Sequence, residues 1–235
     1  MIVISQPTYF PWIGYFSLIN ASKTFVFLDD VQFNSRSWQQ RNRISINGKI
    51  NYLTIPIIKK GLRGQLINQT KIVSNKIFDK HILKIKHTYS RARYYKEYIP
   101  KVEKILIKCK DLNNLSEINI YIIKKFSKIL NLDSNFEISS QLKCDGKKSL
   151  KLINICKKVD NYEYIINEGA KNYIKKDLKE FKKNKIKVFQ IKISEKPYKQ
   201  LNKKFINKLS ILDILFNEGH LATYYLKKNY EILSL

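Results

Sequence analysis

Ile2-Val3-Ile4-Ser5-Gln6-Pro7-Thr8-Tyr9-Phe10-Pro11-Trp12-Ile13-Gly14-Tyr15-Phe16 opens the chain, and Phe25-Val26-Phe27-Leu28-Asp29-Asp30-Val31-Gln32-Phe33 soon follows. Two short apolar runs each stop in a cluster of polar and aromatic residues. Ile2–Ser5 reads as a buried strand. Pro7 and Pro11 frame a rigid loop, because proline fixes φ and bars helix from the residue before it. Residues 12–21 suit a helix and 25–28 a second strand. A strand, helix, strand order predicts two adjacent parallel strands joined by a right-handed crossover, hence an α/β architecture. Arg36-Ser37-Trp38-Gln39-Gln40-Arg41-Asn42-Arg43 comes next. Ligands of open α/β sheets bind beyond the carboxyl ends of strands. Packing alone has little use for so many Asp, Gln, Arg and Trp side chains there.

Outward from this stretch the pattern continues. Residues 44–58 read as a hairpin: Ile44 and Ile46 alternate with polar residues, Asn47-Gly48 is a tight-turn dipeptide, and Tyr52-Leu53-Thr54-Ile55 returns before Pro56. Apolar residues at three- and four-residue spacing predict a helical block at about 77–131, in pieces 77–89, 95–110 and 116–130. The last third alternates again: strands at 136–139, 164–166 and 187–193, helices at 149–158, 176–183 and 209–216. The fold class is therefore α/β, a mainly parallel Rossmann-like sheet with a helical insertion, in a single domain over residues 1–235.

Composition narrows the function. A hydrophobic share of 44% supports a real core, and 12% aromatics argues against disorder. No apolar run reaches membrane-spanning length. The first run meets Gln6-Pro7 at once with no basic segment before it, unlike a signal peptide, so a cytoplasmic protein is expected. Cys109, Cys144 and Cys156 are odd in number and widely spaced, which predicts reduced thiols and neither a disulfide nor a metal site. The formal charge of +26 raises nucleic-acid binding. However, the lysines are spread beside Ile and Asn, as in Asn172-Tyr173-Ile174-Lys175-Lys176, like AT-rich codon use written onto solvated faces. No nucleic-acid-binding motif is visible, and no specific nucleic-acid partner is expected.

Several of these motifs together resemble the WbqC-like protein family. Residues 4–16 are similar to its opening signature. So are Phe27-Leu28-Asp29-Asp30-Val31-Gln32-Phe33, Trp38, Arg41-Asn42-Arg43-Ile44, Thr54-Ile55-Pro56, Lys80-His81 and Ser210-Ile211-Leu212-Asp213-Ile214-Leu215-Phe216-Asn217-Glu218-Gly219. Two departures stand out. Asn167-Glu168-Gly169-Ala170 replaces a Ser-Gly-rich loop, and Lys196-Pro197-Tyr198 stands where His-Pro-x-Tyr is expected. The resemblance implies bacterial surface-glycan biosynthesis, in O-antigen, lipopolysaccharide or capsule assembly. As an activity it implies acyl or aminoacyl transfer to an amino sugar, nucleotide-linked, from ATP-activated or otherwise activated acyl donors. A non-catalytic sugar- or nucleotide-binding scaffold, and a nucleic-acid-binding protein, are the alternatives.

Individual residues carry these expectations. The 10–19 stretch has the layout of a nucleotidylyltransferase signature, with Trp12 and Tyr15 in its two histidine places. Gly14 would let backbone approach phosphate at a helix N-terminus. The competing reading is an aromatic plug between helix and sheet. Asp29 and Asp30, at a strand end, suit orienting a hydroxyl, holding a cation or acting as base, or else capping a turn. Arg36, Arg41 and Arg43 suit phosphate or carboxylate, and Trp38 suits stacking on a sugar or base. His81 is the acid–base candidate that would relieve an attacking amine of its proton. Gln6, Gly14, Arg41 and Arg43 are expected to hold the anionic donor. Trp12, Tyr15, Gln32, Arg36, Trp38, Asn42, Asp213 and Asn217 are expected to complete the site. Asp213 and Asn217 lie four apart on one helix face, and they suit either reaching the pocket or tying the helix end to the first loop.

Overall fold

The computed structural model describes residues 1–235. Its six-stranded sheet is built from β1 (Ile2–Ser5), β2 (Thr24–Phe27), β5 (Asn135–Ile138), β6 (Glu163–Ile166), β7 (Lys187–Ile193) and β8 (Tyr230–Ser234), in the order β5-β2-β1-β6-β7-β8. The first five are parallel, and β8 runs antiparallel to β7. The expected pair is present, with Ile2 opposite Thr24 and Ser5 opposite Phe27. A second sheet is the hairpin of β3 (Arg41–Ile46) and β4 (Lys49–Thr54). Its turn residues Asn47 and Gly48 both take positive φ, 49° and 76°, as a two-residue hairpin turn matching strand twist requires.

Side chains alternate along a strand, so each strand feeds two cores. Ile2 and Ile4 join Val26, Tyr164 and Val188 beneath α6 (Lys148–Lys158) and α7 (Lys171–Lys183). Val3 joins Phe25, Phe27 and Ile165 on the other face. That face is covered by α1 (Ile13–Ala21), α2 (Ile77–Tyr89), α3 (Tyr95–Cys109), α4 (Leu115–Ile129), α8 (Ile211–Glu218) and α9 (Ala222–Lys228). The hairpin and the helical block α2–α4 both lie within the single crossover between the neighbours β2 and β5. A four-residue helix, α5 (Ser139–Leu142), follows β5. Helix α7 begins earlier than the periodicity predicts, because Asn167 accepts a hydrogen bond from the Ala170 N–H (2.9 Å) and starts the turn that feeds it. No helix is long and apolar enough to cross a membrane.

Candidate functional site: a cleft at the sheet's switch point

Strands β1 and β6 are neighbours, yet their connections leave in opposite directions. From β1 the chain turns into α1 on one face; from β6 it turns into α7 on the other. Loops that part in this way leave a crevice outside the strand ends, the usual ligand position in such sheets. A cleft of about 710 Å³ occupies it. Gln6, Thr8, Trp12, Gly14 and Tyr15 form one wall, and Asn167, Glu168, Gly169, Ala170 and Tyr173 the opposite one. The long crossover adds Trp38, Asn42 and Arg43, and the segment before α8 adds Lys208.

The walls are tied together by backbone. Phe10 takes a left-handed φ of 41° directly before Pro11, with its ring buried edge-on against Phe126. Such strain persists where surroundings over-determine it. Here Asn42 Nδ2 donates to the Phe10 carbonyl (2.9 Å) and the Ile211 N–H to the Pro11 carbonyl (2.8 Å). The Ser210 N–H donates to the Arg43 carbonyl (2.8 Å). The bend presents Trp12 to the first turn of α1. A Cβ on Gly14 would lie 2.3 Å from the Trp12 ring. The room that glycine provides is therefore filled by indole, and not left for phosphate at the helix N-terminus. Gln6 is held by Gln39, whose Nε2 donates to its Oε1 (2.8 Å), and its carbonyl accepts from Tyr15 Oη–H (3.0 Å).

Charge in the cleft is mostly positive. The Arg43 guanidinium lies 5.0 Å over the Trp38 ring, and Lys208 Nζ 5.7 Å over the Trp12 ring. Glu168 is the one carboxylate among the lining residues. Behind the cations, Glu195 accepts a hydrogen bond from the Lys208 N–H (2.7 Å), and burial pushes its carboxyl above the ordinary value. Sequence reasoning missed Thr8, Lys208 and Tyr173 as lining residues. The signal for Lys208 was its position just ahead of the 210–219 block.

Other expected site residues lie elsewhere. His81 is buried on α2, its Nδ1 2.8 Å from Tyr9 Oη, and burial lowers its pKa to about 4. It faces the packing between helix and first loop, and does not line the cleft. Asp29 accepts from the Ser140 N–H (3.0 Å) and hydroxyl (2.8 Å), which caps α5. Asp30 pairs with Lys151 (2.6 Å) and accepts from the Ser139 hydroxyl (2.6 Å). Both carboxylates thus fasten the end of β2 to α5 and α6. Arg41 stacks on Tyr52, 4.6 Å from the ring centroid, on the far side of the hairpin strand from Asn42. Arg36 is exposed at φ 60°, and Gln32 is exposed and bridges by backbone to Leu66. Asp213 is buried against Tyr198, whose hydroxyl donates to it (2.8 Å), and burial raises its pKa to about 6. Asn217 Nδ2 donates to the Asp213 carbonyl (2.8 Å). Neither side chain lines the cleft or bonds to the first loop: Asp213 ties α8 to Tyr198, and Asn217 bonds within its own helix. No group of three His, Cys, Asp or Glu stands close enough to hold a metal ion.

Of the residues the sequence singled out for the site, Gln6, Trp12, Gly14, Tyr15, Trp38, Asn42 and Arg43 line the cleft. The WbqC-like protein family model matches residues 6–225. The chain belongs to the WbqC-like protein family. It is 30% identical over 227 residues to an uncharacterized protein of Mycobacterium tuberculosis strain H37Rv, covering 96% of this chain and 97% of that relative. No solved structure matches this WbqC-like chain significantly.

Proposed function

We propose that this WbqC-like protein binds a nucleotide-linked amino sugar in the switch-point cleft. It then transfers an acyl or aminoacyl group to the sugar amine, in bacterial surface-polysaccharide assembly. The observation that carries the reading is the cleft itself: two tryptophans, each backed by a cation, converge from distant segments on the position where such sheets bind nucleotides. Aromatic faces suit a base and a pyranose, and Arg43 and Lys208 suit the phosphates between them. In the transfer, the amine nitrogen forms the new amide bond. The bond from the acyl carbon to its leaving group breaks, and the amine proton goes to a base. His81 is buried and does not line the cleft, so in this reading that role goes to another residue. Glu168, the lining carboxylate, takes its place as proton acceptor.

The test is a transfer assay read by mass. The protein is incubated with UDP-glucosamine and related nucleotide-linked amino sugars. Acyl thioesters, or an amino acid with ATP, serve as donors. The expected result is a sugar product heavier by one acyl group, lost in Glu168→Gln with nucleotide-sugar binding retained. Binding without any mass gain across donors would remove the transfer step and leave the binding reading. Absence of binding would remove both.

A further inference from the structure

We infer that Arg43 and Lys208 form a two-cation subsite for a diphosphate, replacing the helix N-terminus that sheets of this kind ordinarily offer to phosphate. The inference rests on the nucleotide-sugar reading for the identity of the ligand, but not for the subsite.

In a doubly wound sheet the first strand-to-helix turn usually carries glycine so that pyrophosphate can touch backbone N–H groups. Here Gly14 sits in the first turn of α1, but the space beside its Cα is filled by the Trp12 indole. Side-chain cations are then the natural partners for an anion in this cleft.

Two side chains stand ready. Arg43 and Lys208 both line the cleft, and neither forms an ion pair with a carboxylate. Arg43 Nε is buried with no hydrogen-bond partner. A buried donor without a partner carries a desolvation cost that a bound oxygen would remove. Each cation rests on an indole face, which holds it without consuming its N–H donors. Lys208 is also fixed by its backbone, at a left-handed φ of 54°, with its N–H on Glu195. One carboxylate ligand would satisfy only the arginine fork. Two separated cations, from β3 and from the segment before α8, suit a group with several anionic oxygens. Glu195 lies close enough for both cations to act on it, but it pairs with neither. Of the carboxylates nearby, burial raises the pKa of Glu195 and Asp213, Glu168 stands on the cleft wall, and none pairs with either cation.

Both tryptophans of the chain line the cleft, so intrinsic fluorescence reports occupancy directly. Titration with inorganic pyrophosphate should change it saturably, and orthophosphate should bind more weakly. Arg43→Met and Lys208→Met should each weaken pyrophosphate by about tenfold to a hundredfold, the size of a lost charged hydrogen bond. Glu195→Gln retains an acceptor for the Lys208 N–H and should strengthen binding, because it removes the opposing charge. That rise keeps the test decisive should either cation variant fold poorly. Unchanged pyrophosphate binding in folded Arg43→Met and Lys208→Met, or no gain in Glu195→Gln, would overturn the subsite. Competition by UDP-glucosamine would assign the diphosphate to a nucleotide sugar. Competition by farnesyl diphosphate alone would uphold the subsite but overturn the nucleotide reading, pointing to a lipid-linked sugar. Binding of UDP-glucosamine that is indifferent to Arg43→Met and Lys208→Met would uphold that reading and sink the subsite.

Discussion

Gly14 and Trp12 are one unit, and the smallest change tests it. In an exposed helix, glycine to alanine gains up to about 1 kcal/mol. At Gly14 the added methyl meets indole carbons at 2.3 Å, and overpacking of that kind costs about 1–3 kcal/mol. Gly14→Ala should therefore lower stability and displace Trp12. In a Trp12→Ala background, Gly14→Ala should cost much less than in the parent, a non-additivity read by chemical denaturation. His81 gives a second residue-scale test. Its pKa of about 4 lies below the unfolded value near 6.5. The stability tied to its neutral form is thus present above pH 6.5 and lost as pH falls through about 4, by roughly 3 kcal/mol. Asp213 runs the other way. Its carboxyl, raised to about 6, favours the folded state at low pH and loses that contribution as pH rises through 6. Comparing the parent with His81→Gln cancels the Asp213 contribution. The gap between the two should shrink from pH 6.5 to 4; parallel curves would refute a buried neutral imidazole. At this scale the sequence pointed to Trp12, Gly14 and Arg43, and all three line the cleft. It did not show which side of Gly14 the indole would occupy, because that depends on the Phe10 bend.

Among elements, the end of β2 is where sequence and structure part most. Asp29-Asp30 at a strand terminus reads equally well as a catalytic pair or as a tie. Only the partners decide, and Ser139, Ser140 and Lys151 lie more than a hundred residues further along the chain. Asp30→Asn breaks the ion pair with Lys151 while leaving the cleft walls untouched. It should lower stability by about 1–3 kcal/mol, a charged hydrogen bond's worth, and leave pyrophosphate affinity at the parent level. Loss of ligand binding without loss of stability would return Asp30 to the site. The periodic elements were legible: β1, β2, the hairpin with its Asn47-Gly48 turn, and α2–α4 all occur where apolar spacing puts them. The elements that were not legible lack a local signal. Strand β8 alternates over only five residues, and it is ordered by its antiparallel register with β7. The start of α7 depends on the Asn167 turn and not on apolar spacing.

For the whole molecule, the +26 charge is spread over helices and loops on both faces of the sheet, so it acts as a diffuse field. Affinity for duplex DNA or RNA should then come from counterion release alone. It should fall about a thousandfold or more between roughly 50 and 200 mM salt. Nanomolar, sequence-selective binding at physiological salt would overturn that view. The architecture itself concentrates function at one place. Segments from the N-terminal region, from the long β2-to-β5 crossover and from the C-terminal third converge at the β1/β6 divergence. Hydrogen–deuterium exchange, with and without saturating UDP-glucosamine, tests that convergence most directly. The expected result is ligand-induced protection in residues 5–14, 38–43, 167–173 and 208–211 together, with 77–109 unchanged. Protection confined to 77–109, around His81, or no protection at saturation, would contradict the assignment of the cleft as the sugar-nucleotide site.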